Sequence, residues 1–273
     1  MKVSILGPKG TFVDIALSLY LQKNNLFLEK NYFSSIDESI KALDDSSFSY
    51  SLIPLENSLD GYVQRSLDLL LEDNLNILDE ITLPIHYKLV SSCPIEQIKK
   101  IYVQFKAHGQ CLKLLSSFKD VEIIQTQSNT LSFELFKKDE YLSSAIVPMH
   151  LDVDKYQVIK ENVEDFKENF TRFVLVSKTD SFSKSSLSNE IKASISICPN
   201  NDRSGMLFDI LKEFKDKDLN LCSIVSRPTK KMLGTYNFFI EISSNIDKLE
   251  DIFQVIATLN IEYDVRLLGI VNK

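Results

Sequence analysis

Three short stretches of this chain carry residue types that could do chemistry on an acidic small molecule. In the stretch NFTRFVLVS, Thr171 and Arg172 stand side by side at the start of an apolar run. A guanidinium offers a fork of donors that suits a carboxylate, and a hydroxyl can donate a proton or a hydrogen bond toward a leaving oxygen. The pair suits an acidic substrate. In an alternating strand, however, the two side chains would face opposite sides, one of them toward solvent.

The second stretch, IPLENSLDGYV, ends an apolar run in the polar triplet Glu56, Asn57 and Ser58. Open α/β folds bind ligands at the carboxyl ends of their strands, which is where this triplet is expected. Asn57 or Ser58 could instead cap the helix that follows. Capping would explain one of these residues and would leave Glu56 unexplained.

The third stretch, GPKGTF, joins a predicted strand to a predicted helix. A tight turn into a helix presents free N–H groups that bind anions, and Thr11 could cap the helix or donate to a ligand. The alternative is an ordinary turn between a strand and a helix. This motif alone therefore gives a weak prediction of a binding site that contains Gly10 and Thr11.

Composition and charge argue against several classes of function. The 273 residues include 31 basic and 38 acidic ones, and the basic residues are scattered, so we predict no nucleic-acid partner and no membrane partner. The four cysteines and three histidines lack the spacing of metal ligands or of a disulfide framework, so no metal is predicted. The sequence has no membrane-length apolar run and opens on a strand-like segment rather than a signal peptide, which predicts a cytoplasmic protein.

Alternating strand-like and helix-like segments must position these residues, and they predict an α/β fold up to residue 180. A strand over 173–177 returns after a second set of strands, which predicts two lobes: about 1–80 plus 165–180, and about 81–164. The acidic residues that follow the Glu-Asn-Ser triplet are interpreted as a solvated helix face. They are Asp60, Asp68, Glu72 and Asp73.

A serine-rich segment over 181–190 predicts a linker, and a separate domain is expected to follow it over 191–273. The order of predicted elements in that domain is strand, helix, strand, strand, helix, strand. This βαββαβ order is typical of a ferredoxin-like unit with both helices on one face of an antiparallel sheet.

In chain order, GPKGTF, IPLENSLDGYV and NFTRFVLV resemble the three motifs of the prephenate dehydratase family. The stretches SGMLFDILKEF and LNLCSIVSRPTKKMLGTYNFFIEI are similar to the regulatory ACT domain of that family. Residues 205–208 stand at its GALY position and residues 225–228 at its ESRP position. The resemblance implies a two-lobed catalytic domain over 1–180, like a periplasmic binding protein, followed by a ferredoxin-like ACT domain.

The resemblance also implies an activity. Prephenate would lose its ring carboxylate and its C4 hydroxyl to give phenylpyruvate in phenylalanine biosynthesis, with no cofactor. Thr171 would donate to the leaving hydroxyl, and Glu56 and Asn57 would complete the catalytic set. The implied substrate-binding residues are Gly10, Thr11, Ser58, Arg172 and Phe173. The implied effector-binding residues are Gly205, Met206, Leu207, Phe208, Ser226, Arg227 and Pro228.

Regulation and assembly are implied in the same way: L-phenylalanine as an allosteric effector, and a homodimer or homotetramer. The chain departs from the family at several places. Residues 103–106 replace a Ser-His-Pro-Gln stretch of which only the later Gln110-Cys111 remains, and Ser204 and Val225 replace family residues near the effector positions. Two alternatives stay open, an arogenate dehydratase and a non-catalytic sensor of aromatic metabolites.

Overall fold

The computed structural model describes residues 1–153, 155–179, 187–199, 203–230 and 234–273. Its strands form three sheets. Residues 181–186 of the predicted linker lie outside the described residues, so the linker stays a prediction. The predicted class, a two-lobed α/β unit followed by a ferredoxin-like unit, is confirmed by the three sheets described below.

The strands and helices follow one another in the order that the sequence patterns predict, with additional strands at the sheet edges. The strands are β1 Lys2–Leu6, β2 Glu29–Phe33, β3 Phe48–Asn57, β4 Gly61–Tyr62, β5 Asn76–Pro84, β6 Tyr87–Ser91, β7 Lys100–Gln104, β8 Glu122–Thr126, β9 Ser143–Pro148, β10 Gln157–Glu161, β11 Phe170–Ser177, β12 Glu190–Cys198, β13 Asn220–Pro228, β14 Tyr236–Asn245 and β15 Asp264–Asn272. The helices are α1 Phe12–Lys23, α2 Ile36–Lys41, α3 Gln64–Glu72, α4 Phe105–Gln110, α5 Leu112–Ser116, α6 Asn129–Lys138, α7 Met206–Asp216 and α8 Leu249–Leu259.

Two sheets make up the two lobes of the first unit. The first sheet has the order β2-β1-β3-β11-β5, with β4 paired to β3, and the second has the order β10-β6-β9-β7-β8. Strand β11 follows the second sheet in the chain but pairs antiparallel with β3 and β5 of the first. The chain therefore crosses to the second lobe and returns, and β11 lies next to β3 in the first sheet.

The third sheet has the order β13-β14-β12-β15 and is antiparallel throughout. Helices α7 and α8 bury an apolar face against it, with Ile210, Phe214 and Ile252 almost fully inaccessible to solvent. The element order β12-α7-β13-β14-α8-β15 is the predicted βαββαβ order. We call this unit, residues 187–273, the C-terminal domain.

The C-terminal domain shares a hydrophobic core with the first lobe. Phe239, Leu268 and Val271 pack in one cluster with buried residues of β3, α3, β5 and β11. At Gly269 an added Cβ would lie 2.0 Å from the carbonyl oxygen of Ile77, so β15 approaches the backbone of β5 more closely than any side chain would allow. The predicted separate domain is thus packed on the first lobe by apolar contact and close backbone approach.

Some predicted boundaries and environments differ from the structure. Strand β3 extends to Asn57 and strand β11 begins at Phe170, so the polar residues of both motifs lie inside strands, except Ser58, which follows the end of β3. Strands β2 and β10 were missed, because they are largely exposed edge strands with polar sequences and lack a buried apolar face. Asp68, interpreted as solvated, is buried and paired with Arg227 of β13 at 2.7 Å.

Candidate active site

The pairing of β3 with β11 puts the two main motifs together in register. Thr171 lies opposite Asn57, and Arg172 lies opposite Glu56. Successive side chains of a strand point to opposite faces of the sheet. The hydroxyl and the amide therefore share one face, and the guanidinium and the carboxylate share the other.

The Asn57 side chain is fixed by bonds on both ends of its amide. Its Oδ1 accepts hydrogen bonds from the backbone N–H groups of Leu59 and Asp60, both at 3.0 Å. Its Nδ2 lies 2.8 Å from Oδ1 of Asn169 and 3.0 Å from Oγ1 of Thr171. Because the oxygen is held by two backbone donors, the amide presents its N–H groups to Asn169, to Thr171 and to the carbonyl oxygen of Phe170, which lies 3.0 Å from Nδ2.

The hydrogen-bonded chain continues into the second lobe. Asn169 is fully buried, and its Nδ2 donates to Oε1 of Gln110 at 3.0 Å. Gln110 ends helix α4, and its backbone carbonyl accepts from the N–H of Asp165 at 2.7 Å. Sequence analysis did not assign Asn169 or Gln110 to the site. The available signals were weak: Asn169 directly precedes the FTRF motif, and Gln110 is retained within an otherwise altered stretch.

This arrangement determines what the Thr171 hydroxyl can do. Its Oγ1 accepts a hydrogen bond from Asn57, so its own hydrogen is available to donate elsewhere. A hydroxyl is a poor acid, but an amide donor stabilises negative charge that develops on its oxygen when it gives up a proton. The half-buried Thr171 is therefore suited to donate to a leaving oxygen.

A cavity of about 330 Å³ adjoins this hydrogen-bonded chain at Gln110. It lies between the loop that follows Asn57 and helix α4, and its size is in the range of small-molecule sites. Lys106 reaches toward Asp60 across the two lobes, with Nζ and Oδ2 4.0 Å apart. The lining residues are Leu59, Asp60, Phe105, Lys106, Gly109, Gln110 and Phe166.

Ser58 lies beside the same pair but its hydroxyl is already engaged. The hydroxyl oxygen accepts from the N–H of Phe170 at 2.9 Å, and the hydroxyl donates to the carbonyl of Glu168 at 3.0 Å. These bonds tie the end of β3 to the start of β11. The structure gives Ser58 a role in holding the strands, and its predicted contact with substrate stays a prediction.

Arg172 and Glu56 are the clearest departures from the predicted site. The Arg172 guanidinium lies 3.0 Å from Glu56, 3.0 Å from Glu80 and 2.6 Å from Glu241 of the C-terminal domain. Burial by itself lowers the pKa of Arg172, but the carboxylates of Glu241 and Glu80 outweigh it and raise the pKa above the usual arginine value. A guanidinium held by three carboxylates on the face away from Thr171 is not placed to bind a substrate carboxylate. We therefore place Arg172 and Glu56 outside the candidate active site.

Phe173 also lies outside the candidate site. Its side chain is only 1% exposed and packs in the core between the lobes. Its predicted contact with substrate does not fit this burial. The aromatic ring is instead part of an apolar core that includes residues of both lobes.

Two groups of the GPKGTF turn that were predicted to bind substrate are already engaged within the protein. The N–H of Gly10 donates to Oδ2 of Asp14 at 2.9 Å, and the Thr11 hydroxyl caps helix α1 by accepting from the Asp14 N–H at 3.5 Å. Burial raises the pKa of Asp14, but bonds from Lys30 and Gly10 outweigh it and hold the pKa below its usual value. The predicted binding of substrate by the Gly10 N–H does not fit, because a buried carboxylate of the protein already occupies that donor.

The turn also contacts the second lobe. His150 of the second lobe lies with Nε2 3.4 Å from the carbonyl oxygen of Gly10, and its ring stands edge-on to Phe12 at 5.2 Å. The hydroxyl of Thr11 is half-buried beside this contact. A role for Thr11 in substrate binding stays a prediction.

One of the predicted effector residues lines a cavity of about 170 Å³ in the C-terminal domain. Met206 lines this cavity together with Tyr236 and Phe238. Strand pairing sets Ser226 beside Phe238 and Pro228 beside Tyr236. The cavity is therefore next to both predicted effector stretches.

The other predicted effector residues do not line that cavity. Gly205 directly precedes helix α7 as its N-cap, with a φ of 82°, a left-handed conformation that suits glycine. Phe208 is 70% exposed, and Leu207 is also exposed. Arg227 points the other way, to Asp68 of helix α3. The geometry thus separates Arg227 from the rest of the predicted set.

The described part of the chain lacks a metal-binding cluster and a membrane-spanning helix. No group of three or more histidine, cysteine, aspartate or glutamate residues there is arranged to hold a metal ion. Within the same ranges, no helix combines the length and the apolar character needed to cross a membrane.

A family model and the sequence relatives all match this chain to the same family. The family model described as prephenate dehydratase matches residues 3–181, more than half of the chain. The prephenate dehydratase of Methanocaldococcus jannaschii is 32% identical over 249 residues, covering 90% of each chain. That of Bacillus subtilis is 32% identical over 283 residues, covering 98% of each.

Solved structures agree with the sequence relatives. The prephenate dehydratase of Staphylococcus aureus superposes with a TM-score of 0.84 at 30% identity, covering 100% of both chains. That of Arthrobacter aurescens, solved in complex with L-Phe, shares the fold with a TM-score of 0.86 at 24% identity, covering 100% of this chain and 90% of that one. From its sequence motifs, its fold and these matches, the chain belongs to the prephenate dehydratase family.

Proposed function

We propose that this protein is a lyase that converts prephenate to phenylpyruvate, carbon dioxide and water. The observation that carries the proposal is the Thr171 hydroxyl, which accepts from Asn57 at 3.0 Å and keeps its own hydrogen free to donate. The relatives named prephenate dehydratase support the choice of substrate.

The reaction needs a proton at one defined atom. The bond between the ring and its carboxylate breaks, the carboxylate leaves as carbon dioxide, and its electron pair enters the ring as the ring becomes aromatic. The C4–O bond breaks at the same time, and the departing hydroxide takes a proton to leave as water. Thr171 donates to this oxygen, and the Asn57 amide stabilises the charge that develops on Oγ1. The Thr171 proton is restored from solvent.

The dianionic substrate also needs a cation, and Arg172 is not placed to supply it. Lys106 lines the cavity beside Gln110, and its Nζ lies 4.0 Å from the Asp60 carboxylate, a long ion pair that a ligand can displace. We therefore assign Lys106 to a substrate carboxylate. Replacing Lys106→Met should raise KM several-fold, whereas Lys99→Met, an exposed lysine outside this cavity, should leave KM unchanged.

We also propose that L-phenylalanine regulates this activity through the C-terminal domain as an ACT domain. The relative from Arthrobacter aurescens was solved with L-Phe bound. In this chain the cavity at Met206, next to Ser226 and Pro228, supports a site for a small aromatic ligand. The exposed Phe208 and Leu207 support pairing with a second copy, in a cytoplasmic homodimer or homotetramer.

The deciding experiment measures phenylpyruvate formed by the purified protein from prephenate, with and without L-phenylalanine, and repeats the assay with arogenate. Turnover of prephenate supports the proposal, and suppression by phenylalanine supports its regulation. Turnover confined to arogenate would favour an arogenate dehydratase. Binding of phenylalanine without turnover of either compound would favour a sensor, an outcome that the Thr171–Asn57 geometry argues against.

A further inference from the structure

One buried charged cluster lies directly behind the candidate active site. Arg172 is 8% exposed, and its guanidinium contacts carboxylates from two neighbouring strands of its own sheet and from the C-terminal domain. Among these contacts, the two bonds to Glu241 are the shortest, at 2.6 and 2.8 Å. The guanidinium is thus held most tightly from outside its own sheet.

Further polar groups fix Glu241 in its place. Its Oε2 accepts from the Tyr62 hydroxyl at 2.6 Å, and its Oε1 accepts from the Ser194 hydroxyl at 3.1 Å. Burial raises the pKa of Glu241, but the bonds from Arg172 and Tyr62 outweigh it and hold the pKa below its usual value. Glu241 is therefore an ionised, buried anchor on β14.

Lys192 on β12 extends the cluster. Its Nζ lies 2.7 Å from Oε1 of Glu80, while the other oxygen of Glu80 accepts from Arg172. Two strands of the C-terminal domain therefore reach the guanidinium, one directly through Glu241 and one through Glu80. The Nε of Arg172 is buried without a hydrogen-bond partner in the described part of the chain, so the guanidinium keeps one spare donor.

Two pairs of residues that are adjacent in the sequence connect the cluster to the candidate site. Thr171 and Arg172 are neighbours on β11, and Asn57 and Glu56 are neighbours on β3. Each residue of the hydroxyl–amide pair is thus joined through one peptide unit to a residue of the ion cluster. Because that peptide unit is planar and rigid, a shift or rotation of the Arg172 backbone also moves Thr171.

We propose that Arg172 is a positioning residue for Thr171 and that the C-terminal domain sets this position through Glu241. The cavity is lined by residues between 59 and 166, so the C-terminal domain acts on the reaction without lining that cavity. The C-terminal domain contributes by maintaining the geometry of the Thr171–Asn57 hydrogen bond. The kinetic test of this inference rests on the proposed dehydratase activity.

The decisive variant is Glu241→Gln in the full-length protein, which keeps the side-chain shape and removes the charge. Arg172 retains Glu56 and Glu80, so the variant is expected to fold. We expect kcat for prephenate to fall about tenfold while KM stays within about twofold, because the lost interaction acts on a catalytic group and not on substrate binding.

A double-mutant cycle separates positioning from general damage. In a Thr171→Val background, Glu241→Gln should cause no further loss of the residual turnover, since the hydroxyl that it positions is gone. The same fold-loss in both backgrounds, or an unchanged kcat in the single variant, would overturn the proposal. Glu241→Asp, which keeps the charge, should recover part of the turnover.

The matched control is Asp68→Asn, which removes the charge from another buried contact between the same two units. Asp68 pairs with Arg227 and Lys230 and has no bond to β11 among the described residues. Its kcat should stay within about twofold of the wild type. An equal loss of kcat in Asp68→Asn would show that any weakening of this interface lowers turnover, and would contradict a specific role of Arg172.

Amide hydrogen exchange provides a readout that needs no turnover. Glu241→Gln should speed exchange in a peptide that spans residues 169–174, and Asp68→Asn should not. If the wild type had no turnover but this difference were present, the proposed function would fail and the positioning would stand. If wild-type turnover were normal and exchange at 169–174 were the same in all three proteins, the positioning would fail alone.

Discussion

The two faces of strand β11 at the TRF motif have opposite chemical character. On one face Thr171, Asn57, Asn169 and Gln110 form a chain of neutral hydrogen bonds that connects the two lobes. On the other, Arg172 is surrounded by carboxylates of the first sheet and of the C-terminal domain. In the roles proposed above, the neutral face supplies the proton and the charged face fixes the backbone that carries it.

The difference suits one short motif to the two roles proposed for it. An ion cluster with several hydrogen bonds gives a rigid support but binds its groups too firmly to exchange with substrate. A hydroxyl that accepts from one amide still has its own hydrogen available to donate to a ligand. Variants that change one face at a time, followed by measurements of turnover or of unfolding free energy, separate the two roles.

The largest effect is expected on the neutral face. Thr171→Val removes the hydroxyl with little change in shape, and kcat should fall about a thousandfold, the range for a lost general acid. Thermal unfolding should change little, because the ion cluster on the opposite face is untouched. Thr171→Ser, which restores a hydroxyl, is the control and should recover much of the turnover. Near-normal turnover of Thr171→Val would remove the hydroxyl from the mechanism.

Asn57→Ala tests whether the amide supports that hydroxyl. Loss of a single donor to a developing negative charge costs about a hundredfold in kcat, and we expect a loss of this order. Steady-state kinetics in the Thr171→Val background checks the result, since the two losses should not multiply if both residues act on the same proton. Full multiplication would indicate that Asn57 acts on substrate directly.

Gly269→Ala disturbs the contact between β15 of the C-terminal domain and β5 of the first sheet, away from Arg172 itself. The new Cβ would lie 2.0 Å from the carbonyl oxygen of Ile77, so β15 must move away from β5. We expect a loss of about 2 kcal/mol in unfolding free energy, measured by denaturant titration. Gly109→Ala is the control, because no atom lies within 4 Å of the added Cβ. Equal stability of the two variants would mean that β15 and β5 leave room for a Cβ at residue 269.

The smallest effect is a pH dependence of stability at Glu241. Its pKa in the folded protein is below its usual value, so its contribution is full above the unfolded pKa, near 4.5, and is lost as pH falls through the folded pKa. At pH 7 the wild type should exceed Glu241→Gln by about 1.5 kcal/mol of unfolding free energy, the range for hydrogen bonds to charged groups. The difference should shrink below pH 4. A constant difference over this range would show that the Glu241 charge does not contribute.

Much of the fold and part of the site could be predicted from local patterns. Strands with a buried apolar run and helices with one apolar face were found because these patterns are local and periodic. Edge strands such as β2 were missed because exposure removes the apolar signal. Thr171 and Asn57 were identified from their motifs, whereas Asn169 and Gln110 carry no pattern that separates an amide in a hydrogen-bonded chain from an amide at the surface.

The sequence by itself determined the residue types of the site and the alternation of β11, which predicts that Thr171 and Arg172 face opposite sides. It could not determine what covers each side. The partners come from distant segments: Asn57 is 114 residues from Thr171, and Glu241 is 69 residues from Arg172. Alternation follows from the geometry of one strand. Which face meets the other lobe and which meets the C-terminal domain is decided by packing of the whole chain, because it depends on contacts between segments that no local pattern relates.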